Sequence, residues 1–435
     1  MALFLGGRQS EDGRVTTLDA VGELPDAVLP CVVGPLGEVS GTLAPALAPE
    51  AVARAVADTP PFHGLVRIER VHSVGWTGRT DVVVAIPAKD EEVTLPACLD
   101  SVGASLRYGT GGGIIVIVNN TADRSGELAA AWARTASVPV LICEVTFAEM
   151  IADIGHVRRF AMDCAAALVE PGGVILSTDA DTIVSIDWAD RLSRAAAVSG
   201  LAYGPITTDD AALAFGPEAV RIAELEEALR SAQARLWALL APRHTLRIGI
   251  AVGGANMGAS LTAYRAVGGL PPLVTDEDRA FTDKVLNAGF DAVRVDRAGV
   301  VTSCRLVSRV VGGMAATLSA RLAGHCECDR TVLPIRRFAL LALTWRLLAD
   351  EDDSATALAL CRRLGLPPAA LQPSSRPPSA RLADLRARLA PCPALGVAAA
   401  EHELVRANAL HAMVAAAGPA ATIEHLVLCV DALDE

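Results

Sequence analysis

The stretch GGVILSTDADT, residues 172–182, ends an apolar run, Val174-Ile175-Leu176, on two aspartates one residue apart, Asp179 and Asp181. In an extended chain, side chains at i and i+2 share a face, roughly 6.5–7 Å apart along the strand. Two carboxylates so placed repel unless something positive lies between or beside them. A hard divalent cation, Mg²⁺ or Mn²⁺, suits them, because it takes oxygen ligands and is commonly held by one or two carboxylates plus substrate phosphates. A solvated loop capped by the two aspartates is the plain alternative.

Three other polar stretches have comparable chemistry. IPAKDEE (86–92) and NNTAD (119–123) each follow an apolar run directly. Helix capping accounts for either one alone. TDEDRAF (275–281) sets Asp276, Glu277 and Asp278 at the start of a helix expected to run to Asn287 and stop at Gly289. Acids at a helix N-terminus are favoured by the dipole, yet three in a row exceed what capping requires. GGANMGAS (253–260), which contains Asn256, could bring backbone close to a ligand, since glycine permits close approach; a tight turn is the alternative.

The elements that must position these residues read as alternating strands and helices. DVVVAIP (81–87), GGGIIVIVNN (111–120), VPVLICEV (138–145) and GVILSTD (173–179) are short continuous apolar runs, as expected of strands buried on both faces. Between them lie helical patterns. Leu95, Cys98, Leu99 and Val102 recur at helical spacing, SGELAAAWARTA (125–136) follows, and Ile154, Val157, Ala161, Cys164 and Leu168 share one face of a helix over about 154–169. That alternation predicts a mostly parallel, doubly wound sheet, with ligands outside the carboxyl ends of the strands. A long helix is expected over 216–243 and helical sequence after about 310, with QPSSRPPS (372–379) as a linker or exposed loop.

Composition narrows the function. The formal net charge of −12 argues against nucleic-acid binding and requires any anionic substrate to be offset locally, by arginine or a metal. Ten cysteines show no disulfide framework, and MALFLGGRQSEDGR lacks the order of a secretory signal, so reduced thiols in a cytoplasmic protein are expected. His325, Cys326 and Cys328 in HCECD read as structural residues rather than a metal site. No apolar run reaches the length of a membrane span; FALLALTWRLLA (338–349) reads as a core helix.

The order VVVAIPAKDEE, IIVIVNNTADRS, ILSTDADT, GGANMGAS and TDEDRAFTDKVLNAG resembles the family 2 glycosyltransferases of the GT-A fold over roughly residues 81–310. The resemblance implies a Rossmann-like α/β catalytic domain over 81–310, after an N-terminal extension (1–80) and before a helical C-terminal region (311–435). It implies that Asp179 and Asp181 of the D-x-D hold a divalent metal on the donor diphosphate. Pro87, Ala88 and Glu91 would line the nucleotide, and Asn119 stands where many members have a base-contacting Asp, with Asp123 in the same loop. Asn256 would lie at the substrate. Asp278 matches the catalytic base with Glu277 its partner, and Arg158 or Arg159 would face the diphosphate, with Arg159 taken as the contact. The histidine that many members supply as a third metal ligand is missing: Ser303 and Cys304 occupy its place. The implied activity is metal-dependent, inverting transfer of a sugar from a UDP- or GDP-sugar to the hydroxyl of an unidentified acceptor. A nucleotidyltransferase and a non-catalytic scaffold of the same fold are the alternatives.

Overall fold

The computed structural model describes residues 48–109, 111–209, 216–304, 319–350, 354–371 and 374–434. The first 47 residues of the N-terminal extension and the first two of the expected 372–379 linker lie outside the described residues. A short helix α1 (Pro49–Ala57) and strand β1 (Val66–Val74) precede the alternating region. That region comprises β2 (Thr80–Ala88), α2 (Leu95–Tyr108), β3 (Gly113–Asn119), α3 (Ser125–Ala133), β4 (Val140–Phe147), α4 (Ile154–Leu168) and β5 (Val169–Ser177). Beyond it come β6 (Thr182–Val184), α5 (Trp188–Ser199), β7 (Gly200–Tyr203), β8 (Ile206–Thr208) and the long α6 (Pro217–Leu240). Then follow β9 (Met257–Ser260), α7 (Leu261–Ala266), α8 (Glu277–Asn287), β10 (Asp291–Arg294) and β11 (Val300–Thr302).

Eight strands form one sheet in the order β1-β4-β3-β2-β5-β9-β7-β10. Pairs β4/β3, β3/β2, β2/β5 and β7/β10 are parallel, while β1 and β9 run antiparallel to their neighbours. The sheet is thus mostly parallel, as the alternation predicts. Side chains alternate across it: Val83 and Ala85 of β2 enter one core, Val82, Val84 and Ile86 the other. The first core is closed by α1, α4, α7 and α8, through residues such as Val52, Phe160, Tyr264 and Phe281. The second is closed by α2, α3 and α5, through Leu99, Ala129 and Leu192. Because β3 and β4 lie on one side of β2 and β5 on the other, the strand order reverses between β2 and β5. A crevice therefore opens outside their carboxyl ends.

A second sheet, β6-β11-β8, sits beyond the end of β5. Further helices among the described residues are α9 (Ile335–Ala349), α10 (Ser354–Leu364), α11 (Pro378–Arg388), α12 (Val397–Ala417) and α13 (Ile423–Asp431). They share a third core with α6, built from residues such as Leu229, Phe338, Leu341, Leu410 and Leu426. The apolar run at 338–349 is the centre of that core, and Cys326 and Cys328 are buried in it. The long helix α6 comes from the middle of the chain yet joins this helical body. No helix among the described residues is long and apolar enough to cross a membrane.

Candidate functional site

The loops at the carboxyl ends of β2 and β3 are laced together. The Asp90 amide donates to Thr121 Oγ1 at 2.8 Å, and the Ala122 amide returns to Asp90 Oδ1 at 2.8 Å. The Glu91 amide donates to Ser125 Oγ at 2.7 Å, and the Glu92 amide to Asp123 Oδ2 at 2.9 Å. Asp90 and Asn120 hold left-handed backbone, with φ of 52° and 44°. Asn and Asp tolerate that region better than other side chains do, which is why these turns carry them. Asp123 also accepts from the Ser125 amide and hydroxyl and from Thr121, so its carboxylate braces the two loops. Burial would raise its pKa, but these hydrogen bonds outweigh it and lower the value. Asn119 and Glu91 are buried beneath the rim, Glu91 accepting from the Thr94 hydroxyl at 2.6 Å, while Pro87 and Ala88 close β2.

Next to β2 the chain leaves β5 at Ser177. The Thr182 amide bonds the Asp179 carbonyl at 3.2 Å, so residues 179–182 form a tight turn instead of the extended chain on which the i, i+2 argument relied. The two aspartates consequently take different neighbours. Asp179 turns to helix α4, where its Oδ1 accepts from Arg158 Nη2 at 2.9 Å. Asp181 turns to the small sheet: its Oδ1 accepts from the Thr302 hydroxyl at 3.2 Å, and its carbonyl from the Ser303 amide. Beneath the turn the Cys98 thiol donates to the Asp179 carbonyl at 3.3 Å. Burial, together with the nearby charges of Asp181 and Asp179, keeps that thiol firmly protonated.

Arg158 is the centre of the site. Its helix is fixed by Phe160, whose ring meets Phe62 and Phe147 edge-on at 5.1 and 5.5 Å between centroids. Its guanidinium reaches four partners: Asp179, Glu277 Oε1 at 3.2 Å, Ser177 Oγ at 3.0 Å and the Gly254 carbonyl at 2.9 Å. Burial works against its charge, but Asp179, Glu277 and Asp278 more than offset that and raise its pKa. Arg159, one residue on and about 100° around the helix, is directed elsewhere. It bonds Asp163 Oδ2 at 2.6 Å and the Leu270 carbonyl at 2.8 Å. Of the two arginines, Arg158 therefore belongs to the site, contrary to the choice of Arg159.

Helix α8 brings the second pair of acids. Asp276, at φ 60°, precedes it and pairs with Arg330 at 2.7 Å. Glu277 is buried against Arg158. Asp278 Oδ2 accepts from the Gly254 amide at 3.0 Å and Oδ1 from the Arg279 amide at 2.7 Å. Burial raises the pKa of both, and Arg158 acts against that rise in each case. Gly254 thus uses its carbonyl on Arg158 and its amide on Asp278. A Cβ there would lie 2.4 Å from the guanidinium carbon.

Asn256 is a further correction. It is fully buried; its Oδ1 accepts from Trp188 Nε1 at 2.8 Å, and its Nδ2 donates to the Pro205 and Ala298 carbonyls at 3.0 and 2.8 Å. It pins the loop that carries Gly254 and does not face a ligand. The structure therefore brings Asp179, Glu277 and Asp278 together around Arg158, Ser177 and Gly254. Arg159, Asp123 and Asn256 are left to bracing roles. Ser177 and Asp209 carry no signal in the sequence pattern. Asp209 follows β8 and accepts from the Cys304 thiol, where the resemblance would put a histidine. Among the described residues no group of three His, Cys, Asp or Glu is arranged to hold a metal.

No family model and no curated protein matches the chain. Among solved structures, it is similar to a mannosyltransferase from Pyrobaculum calidifontis in complex with GDP-Man and Mn²⁺. The identity is 14%, over 89% of this chain and 92% of that one, with a TM-score of 0.41. It is also similar to S. aureus TarS 1-349 in complex with UDP-GlcNAc, at 12% identity over 81% and 91% of the two chains, TM-score 0.39. A third is glucosyl-3-phosphoglycerate synthase from Mycobacterium tuberculosis, at 19% identity over 59% and 86%, TM-score 0.31. Likenesses this distant carry nothing about what the chain binds.

Proposed function

We propose that the chain is a metal-dependent, inverting glycosyltransferase that moves a sugar from a nucleoside-diphosphate sugar to an acceptor hydroxyl. The observation that carries this reading is the gathering of Asp179, Glu277 and Asp278 around one buried guanidinium at the carboxyl-end crevice of the sheet. The nucleotide would lie across the laced loops, against Pro87, Ala88, Glu91 and Asn119, with the diphosphate at the 179–182 turn. Residues 81–310 would form the catalytic part, and the helical region after 310 would frame the acceptor.

The donor set at the turn suits a hard cation by its chemistry. Asp179 and Asp181 offer hard carboxylate oxygens and both are partly exposed, Asp179 with 34% of its side chain. Two carboxylates do not make a closed protein cage, but they fit Mg²⁺ or Mn²⁺ completing its shell with phosphate oxygens and water. When bound, such an ion supplies Lewis-acid stabilisation of the leaving diphosphate. Asp278 takes the proton of the acceptor hydroxyl. Its two backbone N–H bonds orient the carboxylate, and its raised pKa makes it a stronger base than a free aspartate. Glu277 and Arg158 hold that geometry from the buried side. A single displacement, in which the acceptor oxygen attacks in line as the diphosphate leaves and Asp278 takes the proton, predicts inversion at the anomeric carbon.

Isothermal titration with UDP and GDP, with and without Mn²⁺, tests the reading. Metal-dependent diphosphate binding is expected. Tight triphosphate binding with pyrophosphate release would instead identify a nucleotidyltransferase, and no nucleotide binding a scaffold.

A further inference from the structure

We propose that Arg158 competes with the divalent cation for the Asp179 carboxylate, so that the cation alone binds weakly and binds well only together with the anionic diphosphate. This rests on the reading of Asp179 as a cation ligand. Of the acids around the guanidinium, Asp179 is 34% exposed at its side chain and Glu277 only 7%. The solvent-facing partner is thus the one a cation can reach, while Glu277, Ser177 and the Gly254 carbonyl hold Arg158 from below. The guanidinium is held in place by these bonds and by the close approach of the Gly254 backbone. At Gly254 even a methyl group would fall 2.4 Å from its central carbon. A cation on Asp179 therefore sits within a few Å of a fixed positive charge. Two added phosphate charges offset that repulsion. The arrangement makes cation binding conditional on the donor.

The test is titration of the full chain with Mn²⁺ alone, following free Mn²⁺ by electron paramagnetic resonance, and again with UDP present. Arg158→Gln removes the competing charge. Mn²⁺ alone is then expected to bind at least about tenfold tighter, because a positive charge a few Å from a divalent ion repels it strongly even at an effective dielectric near 20. The gap between Mn²⁺ alone and Mn²⁺ with UDP should narrow accordingly. Arg158→Lys keeps the charge and should keep the wild-type affinity for Mn²⁺ alone, although it cannot reach all four partners. A merely structural arginine gives the opposite result, with Mn²⁺ binding unchanged or weakened in the Gln variant, and that outcome overturns the proposal. If wild-type protein fails to bind Mn²⁺ even with UDP, the metal reading itself falls and takes this one with it. If wild type binds Mn²⁺ with UDP and the Gln variant shows no gain, only the competition falls. Should Arg158→Gln not fold, the wild-type protein still decides. The Arg158 Nε–H resonance, assigned by its loss in Arg158→Lys, should shift on saturation with Mg²⁺, and a stationary resonance refutes the competition.

Discussion

Replacing Gly254 with alanine isolates one steric contact at the centre of the site. The backbone there is not left-handed, so an L side chain is allowed and the effect comes from crowding alone. The new Cβ would lie 2.4 Å from Arg158 Cζ and 2.6 Å from its Nε and Nη2. Real Cβ contacts do not go below about 3 Å, so one partner must move by roughly 0.6–1 Å. Arg158 is tied to four groups, and Gly254 holds Asp278 through its amide, so movement on either side disturbs an acid of the site. Overpacking of this kind costs about 1–3 kcal/mol of stability. A misplacement near 1 Å at the reacting groups lowers turnover about 100-fold. Gly253→Ala is the internal control. Its Cβ would meet Ile206 Cδ1 at 2.5 Å, the end of a side chain that can rotate away, so little loss is expected. Urea denaturation and transfer assays on both variants decide. A Gly254→Ala protein with wild-type stability and turnover refutes the close packing of backbone on guanidinium and the role drawn from it.

Three further outcomes follow from the same geometry. Asp278→Asn should lower transfer about 10²- to 10⁴-fold while UDP–Mn²⁺ affinity, read by calorimetry, stays unchanged; because burial raises the Asp278 pKa, the wild-type rate should fall with decreasing pH from above the usual carboxylate range. Asp329 ties the 319–334 segment to Arg279 of α8; burial acts to raise its pKa, but the Thr331 hydroxyl and Arg279 hold it down at about 2, against 3.8 unfolded. Its contribution of about 2 kcal/mol is complete above pH 3.8 and lost as the pH falls toward 2, so denaturation curves of wild type and Asp329→Asn should differ at pH 6 and converge near pH 2. Arg159→Ala and Tyr264→Phe both cut bonds to Asp163, and each should lose about 1–3 kcal/mol of stability with UDP affinity unchanged; weaker UDP binding at full stability would return Arg159 to the ligand site.

What was legible in the sequence depended on periodicity. Strands buried on both faces announce themselves as continuous apolar runs, so their carboxyl ends, and the acids just beyond, could be located. Helical phase also held more than was taken from it. Position 158 is four residues after Ile154 and three before Ala161, on the face that Val157 and Cys164 bury, so an arginine there must be a buried one with partners. Arg159 lies off that face. Turns and long-range ties were not legible. The bend at 179–182 rests on one backbone bond, and Asn256 is claimed by residues 42 to 68 positions away, which no local pattern reports.

The charge of the site argues for the same chemistry from another side. Around the crevice end of β5, Asp179, Glu277 and Asp278 gather at the Arg158 guanidinium, Arg279 also acts on Asp278, and the chain as a whole carries −12. An anionic donor approaching such a surface is repelled unless positive charge arrives with it, and Arg158 is already committed to its four partners. Burial raises the Glu277 and Asp278 pKa values, and Arg158 acts against that rise in each, so the inner acids are occupied with that guanidinium. Asp179, with 34% of its side chain exposed against 7% for Glu277, is open to an arriving ion. On the proposed reading the roles divide accordingly: Asp278 exchanges the proton, Glu277 holds Arg158 from the buried side, and Asp179 takes the metal.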